Sequence, residues 1–262
     1  MATIHDKPRT LPGAREAKAF VIVLVAAIYV PALLFLLHPP RPVALAAAYV
    51  LVAGLGLFAA SAYRLMIAGT APVPGNTFTA GAAFIAAGAG FDIVATLLHS
   101  PDLRNETNPF ARLLLDSGHS VPFVLAYGAV CQSLLVIGSI LLWRGLLAHR
   151  ATLIESIRDS SGRFPGFMKA ILGGAKLTWK QWILPWRSYR GDRSEKYFYY
   201  PWPIAAMLVG SAAYRWYLGL EWFGFAPGNR VVVGISSVVL GLAVYFGWAW
   251  HAVRQSTQKS HR

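Results

Sequence analysis

The sequence is poor in charge and poorer still in acid. Only 13% of its 262 residues are charged, and 11 Asp and Glu stand against 24 Lys and Arg. A water-soluble domain carries roughly 25% charged residues. Half that density leaves too little polar surface for a water-soluble monomer, which excludes a cytosolic enzyme. The one cysteine, Cys131, excludes a disulfide scaffold. A hydrophobic content of 56% excludes a disordered tail protein. Also lacking are H-E-x-x-H and C-x-x-C metal spacings, a G-x-S-x-G elbow, a phosphate loop and a dinucleotide fingerprint in a fitting context. With no recognisable catalytic motif, a non-enzymatic role is the preferred reading. The alternating pattern of a barrel strand is missing too.

Long apolar runs are what the sequence does have. A spanning helix needs about 20 mostly apolar residues, because ~30 Å of hydrocarbon is crossed at 1.5 Å per residue. Six runs qualify: Ala19–Leu37, Val43–Ile67, Phe78–His99, Val121–Leu147, Trp202–Phe225 and Val231–Ala252. The expected fold is therefore all-α, a polytopic membrane bundle of six transmembrane helices. The first run is longer than the apolar core of a cleaved signal peptide and reads as a retained span.

The basic residues then orient the bundle. Four basic and two acidic residues precede or include Lys18, eleven and four lie between Arg144 and Lys196, and three basic residues occupy the C-terminal tail. These segments together hold twelve of the thirteen net positive charges. Six spans put all three on one side, which the positive-inside rule makes cytoplasmic. The expectation is a multi-pass protein of the cell (inner) membrane with both termini in the cytoplasm. Its organisation reads as a four-helix membrane region over 1–148, a basic cytoplasmic loop over 149–201, a two-helix hairpin over 202–252 and a basic tail over 253–262. Topology accounts for the basic segments, so nucleic acid is not an expected partner.

Within the basic loop, apolar residues recur at helical spacing over 167–184, with Trp179 and Trp182 among them and Lys169, Lys176 and Lys180 forming a separate stripe. That is the pattern of an interfacial amphipathic helix, with tryptophans at headgroup depth and lysines near anionic lipid. The bilayer and its anionic headgroups are the expected partners, with a second copy or another membrane subunit as further candidates. Tyr197, Tyr199, Tyr200, Trp202, Tyr245, Trp248 and Trp250 fit the aromatic belt on the same side. In the third span Ala82, Ala86 and Gly90 repeat at every fourth position, a small-residue stripe suited to close helix contact. In the fourth, Gln132 is suited to interhelical hydrogen bonding.

Ionisable groups inside a membrane are costly and mark a site by default. Asp92 in the third span and Arg215 in the fifth both fall about ten ångströms below the outer surface at 1.5 Å per residue. Each is the other's best partner, either as a buried ion pair that locks two helices or as part of a site. Asp92, Thr96 and His99 share one helix face. In the following loop Asn108-Pro109 is a strong helix start, so a short helix is expected over 109–117, ending at Gly118 and carrying Arg112. Glu106 lies just ahead of it, and Glu221 reaches the same level from the fifth span. Asp92, His99 and Glu106 offer oxygen and nitrogen ligands to a divalent cation; no other cofactor is expected.

The run Asp92-Ile-Val-Ala-Thr96 followed by Glu106-Thr-Asn-Pro109 resembles a pattern in a family of small uncharacterised prokaryotic multi-pass membrane proteins. There an Asp-x-x-x-Thr near the end of one membrane helix precedes a Glu-x-Asn-Pro at the start of the next element. The resemblance covers about 20 residues and implies that Asp92, Thr96, Glu106, Asn108 and Pro109 are the matching positions. It implies no activity. The same residues also have a structural explanation, as caps and an entry angle for the loop helix.

Three functional readings follow. The first is an outward-facing polar site that binds or transports a small polar solute, an ion or a lipid headgroup, built from Asp92, Thr96, His99, Glu106, Asn108, Arg112, Arg215 and Glu221. The second is a structural subunit of a membrane complex with no ligand chemistry. The third is an intramembrane lipid-modifying enzyme using Asp92, Glu106 or His99 as general acid or base.

Overall fold

The computed structural model of the chain describes residues 11–37, 40–103, 108–158, 198–225 and 228–260. The expected interfacial helix over 167–184, with Lys169, Lys176, Trp179, Lys180 and Trp182, lies outside the described residues, as do Glu106 and Tyr197. Among the described residues there are helices and turns but no strand. Helix α1 (Ala14–Leu24) continues through one π-helical turn, Val25–Tyr29, into α2 (Val30–Leu36). Then come α3 (Arg41–Ile67), α4 (Gly75–His99), the short α5 (Pro109–Asp116), α6 (Val121–Arg158), α7 (Pro201–Trp222) and α8 (Arg230–Ser260).

Five helical stretches are long and apolar enough to cross a membrane: Ala14–Leu34, Arg41–Ile67, Gly75–His99, Val121–Ser156 and Arg230–Gln255. This is a multi-pass arrangement. The remaining long helix, α7, has 22 residues and would extend about 33 Å. It carries Arg215 and Glu221. Helices α6 and α8 run on into segments read from sequence as loop and tail. His149 and Leu153 of α6 and Val253 of α8 are buried there.

The π-turn has a local cause. Pro31 has no N–H for the Ala27 carbonyl, its i−4 acceptor, and one residue earlier the Val30 N–H reaches back five residues to Val25. Gly54 of α3 packs directly on that spot, where a Cβ would lie 1.8 Å from the Ala27 carbonyl oxygen. Helices α7 and α8 meet in the same backbone-to-backbone way. A Cβ on Gly210 would lie 2.4 Å from the Ser237 carbonyl, and one on Gly241 2.4 Å from that of Ala206.

The main core gathers at the end of the bundle where α1 begins and α8 finishes. Phe20, Phe58, Leu65, Leu142, Leu153, Phe198, Trp202 and Tyr245 are buried together there. Lipid is as apolar as leucine, so close packing rather than transfer from water holds such helices together. Trp202 and Tyr245 therefore belong to the core and not to the interfacial belt expected of them. The stripe expected on α4 is displaced as well. Gly81 and Gly88 make the close contacts, against Trp143 and Trp216, whereas Gly90 faces open space and Ala86 is exposed.

His149 ties this end together. Its Nε2 donates to the Leu65 carbonyl at 2.9 Å, an acceptor at the C-terminal end of α3. Next to it, the Ala71 N–H donates to the Ala148 carbonyl at 2.9 Å. The imidazole is buried against Trp202 and Phe198, with ring centroids 5.0 and 5.6 Å away. Gly13, at φ 82°, closes over it.

The opposite end is held by a smaller cluster of Leu103, Leu114 and Val124, which seats α5 against α6. Asn108 caps α5 by accepting from the Phe110 N–H at 3.0 Å, and Pro109 takes the first helical position. At the other terminus Gly118, at φ 86°, donates to Leu115 while the His119 N–H donates to Leu114, a Schellman ending. His119 Nδ1 also donates to the Leu114 carbonyl, so its Nε2 accepts from the Tyr49 hydroxyl of α3 at 2.8 Å. Packed tightly at one end and loosely at the other, the bundle leaves room for a cavity.

Candidate functional site

That cavity has a volume of about 730 Å³ and lies between α4, α6 and α7, with α5 and the first residue of α8 at its edge. Its polar lining comprises Asp92 and Thr96 from α4, Asn108 ahead of α5, Gln132 from α6, Ser211, Tyr214, Arg215 and Glu221 from α7, and Arg230 from α8. Ile93, Leu97, Leu125, Leu218 and Trp222 supply apolar wall between them.

The wall formed by α4 and α7 is set by close packing. Trp216 lies over Gly88, where a Cβ would stand 2.9 Å from the indole, and its Nε1 donates to the Phe84 carbonyl at 3.3 Å. The indole also stacks beside Phe84 and Phe91, and Phe91 in turn covers Gly219. These contacts fix the rotation of α7, so Ser211, Tyr214, Arg215 and Leu218 turn toward α6. Arg215 Nη1 donates to the Gln132 side-chain oxygen across the gap. Among the described residues Gln132 is its hydrogen-bond partner, while Asp92 acts on the guanidinium coulombically. Below Arg215 lies a small void of about 20 Å³, lined by Ile85, Leu135, Ser139 and Leu208 among others. Arg215 and Ser211 border both spaces. They form the cavity floor.

Near the helix ends, Arg230 Nε donates to both oxygens of Glu221, at 3.0 and 2.8 Å. Asn229 holds Arg230 at the start of α8 by capping that helix through the Val231 and Val232 N–H groups. Leu103, which also lines the cavity, has φ 57° and is buried, a left-handed conformation that costs a branched side chain of order 1 kcal/mol.

Comparison with protein-family models, with curated proteins and with solved structures finds no match. The site must therefore be read from its own chemistry.

Of the residues singled out from sequence, Asp92, Thr96, Asn108, Arg215 and Glu221 line this same cavity. Two halves of a short motif, Asp92 with Thr96 and Asn108, thus converge although a loop and a helix start separate them. His99 takes another direction. It shares a face with Asp92, but its Nδ1 donates back to the Ala95 carbonyl at 2.9 Å. Its ring packs on Trp222 and Phe223, with centroids 5.7 and 4.7 Å away. Arg112 is exposed on α5 and does not line the cavity. Among the described residues no three His, Cys, Asp or Glu side chains come together as a metal group. Gln132 and Arg230 are the two main additions to the expected site. Gln132 stands out in sequence as a polar residue in an apolar run, and Arg230 as a charge at the head of one. Neither position shows by itself which helix it faces.

Proposed function

We propose that this chain is a six-span membrane protein, with its basic segments in the cytoplasm, that binds a small polar solute or lipid headgroup in the α4–α6–α7 cavity. The single observation carrying this reading is that polar side chains from five helical elements or their caps line one space of about 730 Å³. That volume is typical of a small-molecule site, where a mostly apolar wall surrounds a few convergent polar groups. An ionisable residue in a membrane helix is expensive unless a partner or a cavity compensates it. Arg215 and Asp92 have both. On this reading Glu221, Arg230 and Asn108 form the outward rim, at helix ends, and Arg215 with Gln132 forms the floor. The cell membrane, with the outer face accessible to the ligand, is the corresponding location.

Native mass spectrometry of the full chain released from lipid nanodiscs tests the reading. Wild type is expected to retain a non-covalent adduct that Ala129→Trp, which fills the α6 wall of the cavity, releases. Retention of the same adducts by both proteins, or by neither, overturns it.

A further inference from the structure

The charges around the cavity are not equivalent, and the difference points to the class of ligand. Glu221 has both oxygens engaged by Arg230 Nε, so the rim carboxylate is already neutralised within the protein. Arg215 is different. A guanidinium carries five N–H donors in a fixed planar fork. Among the described residues its hydrogen-bond partner is the neutral Gln132 amide, which takes one of them. The guanidinium borders the cavity at its floor, and Ser211, Thr96 and Tyr214 share the lining with it. Ser211 donates its own proton to the Leu208 carbonyl, at 2.8 Å. The donors the floor offers are therefore the remaining guanidinium N–H groups, a fork suited to planar or tetrahedral oxyanions. Above it the lining is predominantly apolar, through Ile93, Leu97, Leu125, Leu218 and Trp222.

Resting on the binding role proposed above, we infer that the cavity takes an oxyanionic ligand, a phosphate or carboxylate held at Arg215, with any apolar body of that ligand lying along the α4–α6–α7 wall. Asp92 sets the strength. Its carboxylate lines the same cavity as Arg215 and offsets part of the positive field, so the anion is captured by directed donors and not by net charge. Replacing Asp92 by asparagine should then tighten anion binding.

The test uses the full chain in phosphatidylcholine nanodiscs and four probes: dihexanoylphosphatidic acid, inorganic phosphate, dihexanoylglycerol and hexyltrimethylammonium. Calorimetric titration is expected to show saturable binding of the phosphatidic acid, about tenfold or more weaker in Arg215→Gln, as for loss of hydrogen bonds to a charged group. Binding should be tighter in Asp92→Asn and absent for dihexanoylglycerol. Inorganic phosphate binding as tightly as the phosphatidic acid identifies a free solute as the source; much weaker phosphate binding identifies a lipid. Should Arg215→Gln fail to fold, Arg215→Lys keeps the charge without the fork and is expected to weaken binding less.

Oxyanion binding unchanged by either Arg215 variant overturns the inference. So does saturable binding of hexyltrimethylammonium alone, lost in Asp92→Asn, though that outcome leaves the cavity's binding role standing. Absence of binding by every probe, together with identical adducts in wild type and Ala129→Trp, overturns both.

Discussion

Replacing Gly13 by alanine tests whether the N-terminal approach, α3 and α6 are coupled through one imidazole. Gly13 sits at φ 82°, where an L-residue costs about 1–2 kcal/mol. The new Cβ would also lie 2.6 Å from His149 Cε1 and 3.1 Å from Nε2, so the ring has to move by several tenths of an ångström. It has nowhere to go, since it is 1% exposed and flanked by Trp202 and Phe198. Movement breaks the 2.9 Å bond to the Leu65 carbonyl. A buried acceptor left without its donor costs about 1–3 kcal/mol. The two contributions place Gly13→Ala at about 2–5 kcal/mol of destabilisation. His149→Ala loses the same bond and opens a void.

The decisive comparison is the double variant. With the imidazole gone, the alanine Cβ meets no ring, and only the backbone cost of Gly13→Ala remains. The two substitutions should therefore be sub-additive by about 1–3 kcal/mol. Unfolding in mixed micelles, followed through the intrinsic fluorescence of the nine tryptophans, measures all four proteins. Additivity within about 0.5 kcal/mol, the behaviour of independent sites, would refute the coupling.

Two further substitutions probe the backbone contacts and the helix facing the cavity. Gly54→Ala puts a Cβ 1.8 Å from the Ala27 carbonyl oxygen, a backbone atom that cannot rotate aside. The packing of the π-turn on α3 must open, at a cost of at least the 1–3 kcal/mol of an overpacked core, and the unfolding midpoint in micelles should fall accordingly. Asn108→Ala removes the side-chain cap of α5, worth about 1 kcal/mol. Amide exchange within 109–116 should accelerate about fivefold, with Asn108→Ser retaining most of the protection.

Much of the fold was legible because hydropathy sums locally. A run such as Val43–Ile67 declares a membrane helix whatever surrounds it, and α3 occupies nearly that range. The start of α5 was legible for the same reason, since Asn108 and Pro109 act within one turn. Rotation was not. Trp202 and Tyr245 look like belt residues by type, yet the direction each faces depends on the helix opposite, and both are buried. The Ala82-Ala86-Gly90 stripe failed similarly, because Trp143 and Trp216 select Gly81 and Gly88 as the contact points.

The candidate site divides along that line. Asp92 and Arg215 are recognisable from the chain alone as charges in apolar helices, because desolvation penalises them in any fold that buries those helices in lipid. The chain also places Thr96 one turn from Asp92. That Gln132 receives the Arg215 hydrogen bond, that Arg230 closes on Glu221, and that His99 turns back to Ala95 beside the Trp222 and Phe223 rings emerges from how the helices pack. Those outcomes depend on helix rotation and separation, which small residues and aromatic rings on neighbouring helices set between them. No stretch of one helix contains that information.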